Sequence, residues 1–394
     1  MTATSTPSKP LAAATARLSG LLSHFGVTPL AFDDTLALID PLLTVHRLHA
    51  RVVAVRAETP SSRTLVLELG RGFQMPLPGQ YAMFGVVIQG VRHRRAYSPR
   101  VVNARLRQIA ITVQRQPGGL VSNHLNAQTR VGDVIEVEQP AGHFTLPSPA
   151  PMEVLMLAGG SGITPNMAML EHLKTNAPAT RATLIYFARS ADERILAKAL
   201  RELANEWPNL RYVPIDSVAH TPTNTPTSTS ADAGHRPGPA SGVSQRLLDQ
   251  ALLDEVCPNW AHLPAYCCGP APLMDAARAL WAQAGASNRL HLEAFAPPKA
   301  DGDPHARHVV QLTRDATPQA FDAPGDLTLL VAGERAGLSI PHGCRQGICH
   351  ECTCRLEHGS VKDLESGRQV DGEGQLIRLC VCSALSDLEL TSMR

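Results

Sequence analysis

The sequence predicts a multidomain protein: an antiparallel β-barrel, then an α/β domain around a parallel sheet, then a small C-terminal domain built around cysteines. Three observations carry that prediction. Between Arg51 and Pro147 the chain runs in short alternating stretches, RVVAVRA, TLVLEL, YAMFGVVI and QIAITVQR, separated by turns bearing Gly and Pro. This is the pattern of antiparallel strands with one face in a core. Next, MEVLMLA, ATLIYFA, LRYVPI and PAYCCG are apolar and of strand length, and they alternate with helical stretches such as MAMLEHLKT and ERILAKALRELANEW, the signature of parallel α/β layering. Last, six of the nine cysteines lie beyond residue 343.

Composition sets the limits. A chain of 394 residues exceeds what one hydrophobic core normally supports, so several domains are expected. Apolar residues make up 44% and charged residues 18%, and a formal charge of +1 gives no broad field for gripping nucleic acid or anionic lipid. No nucleic-acid partner is expected. No uncharged apolar run approaches the ~20 residues that span a bilayer, so the protein is not expected to be transmembrane. The opening MTATSTPSKPLAAATARL lacks the apolar core of a secretory signal, so the expected residence is cytoplasmic. Any membrane contact is expected to be peripheral, at the inner face, through a partner.

Taken in order, residues 1–46 read as an N-terminal helical extension, its helical spacing broken by Pro29 and Pro41. Residues 47–150 form the barrel and 151–298 the α/β domain. Within the latter, 217–241 is rich in Thr, Pro, Ser and Ala, with too few large apolar residues to offset the entropy of ordering, and a disordered insertion is expected there. A polar linker, 299–307, leads to a final domain at 308–394, where HVVQLTRD and TLLVAGERAGL predict a strand and a helix ahead of the cysteine loop. No internal repeat is present.

Cys344, Cys349 and Cys352 have the spacing C-x4-C-x2-C, and Cys380 follows at a distance. This is the plant-type ligand pattern for a 2Fe-2S cluster. Gly343 and Gly347 supply backbone that can approach inorganic sulfide or take positive φ. A four-sulfur zinc site normally pairs two C-x-x-C knuckles, and the x4 arm and lone distant cysteine break that pairing. Cys354 and Cys382 each lie two residues beyond a proposed ligand and read as small buried thiols, although a two-residue step in a strand leaves either able to substitute.

In the barrel stands RAYS, Arg95, Ala96, Tyr97 and Ser98. Arg95 can clamp a flavin phosphate, Tyr97 can lie on the isoalloxazine, and Ser98 can hydrogen-bond N5. PGGLVSNHL adds Gly118 and Gly119, with Ser122 in an opening helix, an arrangement that offers free N–H groups to a pyrophosphate and favours FAD over FMN. In the α/β domain, Gly159, Gly160, Ser161, Gly162, Thr164 and Pro165 lie between an apolar strand and a helix. This loop can cradle a dinucleotide, although it is not the GxGxxG fingerprint. After the next strand, Arg189 and Ser190 stand where an NAD-preferring site often carries an acid, which tilts the expectation from NADH toward NADPH. Cys268, Gly269 and Pro270 end a strand at the carboxyl edge of the sheet, where ligands of such folds bind.

RAYS, GGLVS, GGSGITP, CCGP, EAF and the cysteine pattern, in this order, resemble the ferredoxin-NADP reductase superfamily, specifically members fused to a C-terminal plant-type ferredoxin. The resemblance covers about residues 47 to 394. It implies an FAD-binding barrel, a nucleotide-binding α/β domain and a β-grasp ferredoxin domain. It places Arg95, Tyr97 and Ser98 on the flavin, Ser122 on its pyrophosphate, Cys268 and Glu293 by the nicotinamide, and Phe295 near the isoalloxazine. Ala96 stands where Thr is common. The stretch FDDTLALIDPLLTVHRLHARV also resembles the leader of reductases that serve membrane-bound fatty acyl desaturases.

The activity implied is reductase chemistry in which NADPH gives two electrons to a flavin and a 2Fe-2S centre takes them singly. Ser98, Cys268 and Glu293 are the expected catalytic side chains, and no acid–base dyad or nucleophile triad is needed. The expected partner is an electron-acceptor protein: a membrane desaturase first, an aromatic-ring oxygenase or hydroxylase second. A redox-sensing binding module is the reading from a different class, and rapid NADPH-driven reduction of a one-electron acceptor argues against it.

Overall fold

The computed structural model describes residues 29–44, 46–217, 246–295 and 299–393. The barrel is a seven-stranded antiparallel sheet. Its strands are β1 (His49–Thr59), β2 (Ser62–Leu69), β3 (Ala82–Ile88), β4 (Val91–Tyr97), β5 (Arg100–Asn103), β6 (Gln108–Gln114) and β7 (Val134–Val137), in the order β4-β3-β7-β1-β2-β6-β5. Alternation explains its core: Val52, Leu65, Leu67, Phe84, Ile109 and Ile111 turn inward and are fully buried.

The described part of the N-terminal extension is a helix, α1 (Pro29–Ile39), and a short 3-10 turn, Pro41–Leu43. It is tied to the barrel by carboxylates. Asp33 accepts from the backbone N–H of His46 and Arg47, both at 2.7 Å, and Asp40 accepts from Arg51 at 2.7 Å. The barrel's first helix, α2 (Leu120–Ala127), follows β6.

The second domain is a five-stranded sheet, entirely parallel, of β8 (Glu153–Gly159), β9 (Arg181–Ala188), β10 (Leu210–Asp216), β11 (Ala265–Cys268) and β12 (Leu290–Glu293), ordered β10-β9-β8-β11-β12. Helices α3 (Ile163–Asn176), α4 (Ala197–Glu206), α5 (Gln250–Val256) and α6 (Ala271–Gln283) cover it. The strand order reverses between β8 and β11, the topological switch point at which open α/β sheets form their crevice. Of the expected insertion at 217–241, only Ser217 is described, and the rest lies outside the described residues.

The third domain pairs β13 (Arg307–Arg314) with β14 (Thr317–Pro324), then runs through helix α7 (Leu329–Arg335) into the cysteine loop. Strands β15 (Thr353–His358), β16 (Ser360–Asp363), β17 (Gln369–Asp371), β18 (Gln375–Arg378), β19 (Cys382–Ala384) and β20 (Leu388–Ser392) complete it. Its main sheet, β14-β13-β20-β15-β18, is mixed, with β13 and β20 parallel, and a smaller sheet of β17-β16-β19 lies beside it. This is a sheet grasping one helix. Val310, Leu330, Leu356, Val361 and Leu390 fill the space between them.

Candidate functional site

A cleft of about 800 Å³ opens where the barrel, the α/β domain and the cysteine loop meet. Its walls hold Arg95, Ala96, Tyr97 and Ser98, then Gly118, Gly119 and Ser122. Ser161, Thr164 and Phe295 come from the α/β side, and His342, Arg345 and Gln346 from the cysteine loop. Strand β4 ends at Tyr97, so Ser98 leaves the strand and enters the cleft. The Ser98 hydroxyl is buried and has no hydrogen-bond partner among the described residues, which leaves it free for a bound group.

Arg95 donates to the carbonyls of Arg94 and Gly343, at 2.8 and 3.1 Å, and has no carboxylate in ion-pair contact among the described residues. Burial, and then the neighbouring Arg345 guanidinium, push it below its ordinary value. Arg345 is itself paired with Glu334, so Arg95 is the cation that suits an anionic ligand such as a flavin phosphate. Gly118, at φ +69°, has open space where a Cβ would project, while at Gly119 a Cβ would come within 2.5 Å of the Ser122 hydroxyl. Here glycine leaves the hydroxyl and the helix N–H groups accessible.

Other residues expected at the ligand sit behind the cleft wall, at the switch point. Gly162 is pressed against the Cys268 carbonyl, which a Cβ would approach to 2.0 Å, and Gly159 and Gly269 meet backbone to backbone. Their absent side chains let the ends of β8 and β11 close on each other. Gly160, at φ +52°, is different and opens to free space. Pro165 lies in the first turn of α3, and Pro270 precedes α6. Cys268 is fully buried, which pushes its thiol well above its ordinary value. Glu293 at the end of β12 has an enclosed Oε2 with no partner, and burial pushes its carboxyl up to about 8. Arg189 is exposed at the end of β9, 3.5 Å from Glu193, with Ser190 beside it.

In the cysteine loop the sulfurs form two pairs. The backbone N–H groups of Gln346 and Cys349 donate to the Cys344 sulfur at 3.3 Å each, that of Cys344 to Cys349 at 3.2 Å, and that of Gly347 to Cys380 at 3.2 Å. Hydrogen bonds within the pairs hold Cys349 below its ordinary value, through Cys344, and Cys352 below its own, through Cys380, while the partners Cys344 and Cys380 are pushed up. Left-handed backbone at Arg345, Gly347 and His350 turns the loop inward. Among the described residues no set of three or more Cys, His, Asp or Glu gathers tightly enough to hold one metal ion. Two sulfur pairs supplied with amide donors fit a cluster in which each iron takes two thiolates. Cys354 and Cys382 are buried in the domain's hydrophobic core, where burial pushes each up to about 12.

No motif in the sequence marks Tyr81, which lies under this loop. Its hydroxyl donates to the Ile348 carbonyl at 3.1 Å. Burial, and then Cys344 and Cys349, push it up to about 12. Nor does one single out Gln346, whose side chain donates to the Phe295 carbonyl and so links the loop to the α/β domain. Neither link has a local pattern, because both join residues distant in sequence.

Family models match residues 49–146 as an oxidoreductase FAD-binding domain, 156–279 as an oxidoreductase NAD-binding domain and 312–385 as a 2Fe-2S iron-sulfur cluster binding domain. Over 367 residues the chain is 34% identical to the "NADPH oxidoreductase" of Mycobacterium tuberculosis, covering 92% of this chain and 89% of the relative. The chain belongs to the ferredoxin-NADP reductase superfamily, among members with a C-terminal 2Fe-2S domain. It is an NAD(P)H-dependent oxidoreductase. It is also 29% identical, over 83% of its length and 90% of the relative, to the ferredoxin reductase component of the M. tuberculosis 3-ketosteroid-9-alpha-monooxygenase. Phthalate dioxygenase reductase shares the fold, with a TM-score of 0.55 at 24% identity, over 88% of this chain and 97% of that structure. Among the described residues, no helix is long and apolar enough to cross a membrane.

Proposed function

We propose that this reductase takes electrons from NADPH and delivers them singly to an oxygenase, with Arg95, Tyr97, Ser98 and Ser122 holding FAD and Cys344, Cys349, Cys352 and Cys380 holding the cluster. When bound, FAD accepts an electron pair from the nicotinamide and releases it one electron at a time, which the cluster requires. The protein's own residues bind and orient. Gly118 and Gly119 leave the space beside the Ser122 hydroxyl clear for a pyrophosphate, Ser98 offers a hydroxyl with no other partner among the described residues, and Phe295 closes the α/β side of the cleft. Glu293, kept neutral by burial at about pH 7, offers a proton-bearing oxygen near the switch point without placing a negative charge there. The observation that carries the reading is the seating of the cysteine loop on the wall of the flavin cleft.

NADPH is preferred to NADH in this reading because Arg189 is exposed and, among the described residues, held by a 3.5 Å pair to Glu193, leaving it able to meet a 2′-phosphate. An oxygenase acceptor is preferred to the membrane desaturase expected from the leader, since a relative named for its partner belongs to a monooxygenase. The leader keeps the desaturase as the second reading, because α1 is built onto the barrel by Asp33 and Asp40. Cytoplasmic residence goes with either acceptor. The test supplies purified oxygenase or desaturase with this protein and either nucleotide. Substrate turnover by the oxygenase, faster with NADPH, is expected; turnover confined to the desaturase reverses the choice of acceptor.

A further inference from the structure

We propose that Tyr81 is a positioning residue for electron transfer from flavin to cluster. With Met83 it forms a seat on the outer face of the barrel that holds the cysteine loop against the wall of the flavin cleft. The inference rests on the reading above and deepens it.

Sheet geometry sets the two sides of that wall. Tyr81 and Met83 are two residues apart and share a face, and Met83 pairs with Ala96 of β4. The neighbouring pairs, Ala82 with Tyr97 and Phe84 with Arg95, project to the opposite face, where the Phe84 and Tyr97 rings meet edge-on at 6.0 Å. The Cys344 and Cys349 sulfurs seated on Met83 are therefore one thickness of sheet from Tyr97, while His342, Arg345 and Gln346 of the same loop line the cleft itself. On the outer side Tyr81, Met83 and Cys344 are buried together, with Ala96, Ile348 and Cys349 packed against them. A Cβ on Gly343 would lie 3.6 Å from the Met83 methyl.

The seat is held in place by contacts within the barrel. Tyr81 exchanges both backbone hydrogen bonds with Ala141, at 3.0 and 2.8 Å, and Gly142, at φ +103°, leaves room for the ring, which a Cβ there would approach to 3.0 Å. So fixed, the hydroxyl reaches the Ile348 carbonyl, in the loop between the ligands Cys344 and Cys349. Arg95 on the Gly343 carbonyl and Arg94 at 3.5 Å from Glu351 close the rim. A shift of the loop would carry both sulfurs of one pair with it. The step concerned moves one electron from FAD, reduced by NADPH, to the oxidised cluster, and its rate falls steeply with separation.

The test uses full-length holoprotein with FAD, iron and sulfide contents matched to the parent, mixed anaerobically with NADPH while flavin and cluster absorbance are followed separately. Tyr81→Phe removes one hydrogen bond, and cluster reduction should slow about threefold to tenfold. Met83→Ala empties the space beneath Gly343, and a slowing of about tenfold or more is expected. In both variants the flavin should be reduced at the parental rate, and the cluster's EPR spectrum and potential should be unchanged. Cluster reduction at the parental rate in both variants would overturn the seat, as would flavin reduction that slows in parallel. If the parent's flavin is not reduced by NADPH, or its iron gives no 2Fe-2S signal, the proposed function itself fails and the seat with it.

Discussion

The cysteine loop and the carboxyl edge of the parallel sheet are built from the same residue types, glycine beside cysteine, to opposite ends. In the loop, backbone N–H groups aim at sulfur, and left-handed turns at Arg345, Gly347 and His350 wrap the chain around two sulfur pairs. At the sheet edge, Gly159, Gly162 and Gly269 are used to close backbone on backbone, and Cys268 is sealed behind them. In each sulfur pair of the loop one thiol, Cys349 or Cys352, is held below its ordinary value by its partner, whereas the sheet edge keeps an acid and a thiol neutral. The difference lies in where the N–H groups point, because a buried charge without donors is costly.

The largest expected effect separates ligand from neighbour. Cys352→Ala should abolish the 2Fe-2S absorbance and EPR signal and electron delivery to the oxygenase, while NADPH still reduces the flavin. Cys354→Ala, two residues along in the hydrophobic core, should keep the cluster. Cluster loss from Cys354→Ala instead would move the ligand set.

Next comes the glycine contrast. Gly162→Ala drives a methyl into the Cys268 carbonyl and should cost about 3 kcal/mol, read as earlier thermal unfolding of the nucleotide domain. Gly160→Ala meets open space, and its cost should be only about 1 kcal/mol, for the positive φ. Equal costs would mean that the backbone contact between β8 and β11 is not tight.

Glu293 provides the pH test. Its carboxyl is raised to about 8 in the folded protein against 4.5 for an ordinary glutamic acid, so the unfolded chain ionises first. The stability linked to this group is full below pH 4.5 and falls as pH rises to about 8. Thermal melts from pH 5 to 8 should show the decline, and Glu293→Gln should flatten it. The smallest effect is expected at Cys267, fully buried and pushed up by burial to about 12: Cys267→Ala should cost about 1 kcal/mol in a melt and leave the electron-transfer rates unchanged.

Much of this is legible in the sequence. Strand alternation from RVVAVRA to QIAITVQR gave the barrel, and alternation of apolar strands with helices gave the parallel sheet, because both are local patterns of burial. The C-x4-C-x2-C spacing pointed to a cluster loop for a similar reason: the turns that wrap metal are close in sequence. Three things were not legible. GGSGITP read as one ligand cradle, yet its glycines divide between backbone packing at Gly159 and Gly162 and open space at Gly160, a distinction set by the partner strand β11. Tyr81 read as one more barrel residue, since the loop it supports lies 267 positions away. The leader reads as a helical extension broken by Pro29 and Pro41, and its anchoring through Asp33 appears only when His46 and Arg47 fold back onto it.

The central claim is that electrons from NADPH leave this chain singly through iron held by Cys344, Cys349, Cys352 and Cys380. It is tested most directly by anaerobic titration of the purified holoprotein with NADPH, with iron, zinc and acid-labile sulfide measured on the same sample. The account predicts about two irons and two sulfides per chain, and loss of flavin colour accompanied by the EPR signal of a reduced 2Fe-2S cluster. Zinc without sulfide, or a flavin that NADPH leaves oxidised, would contradict it.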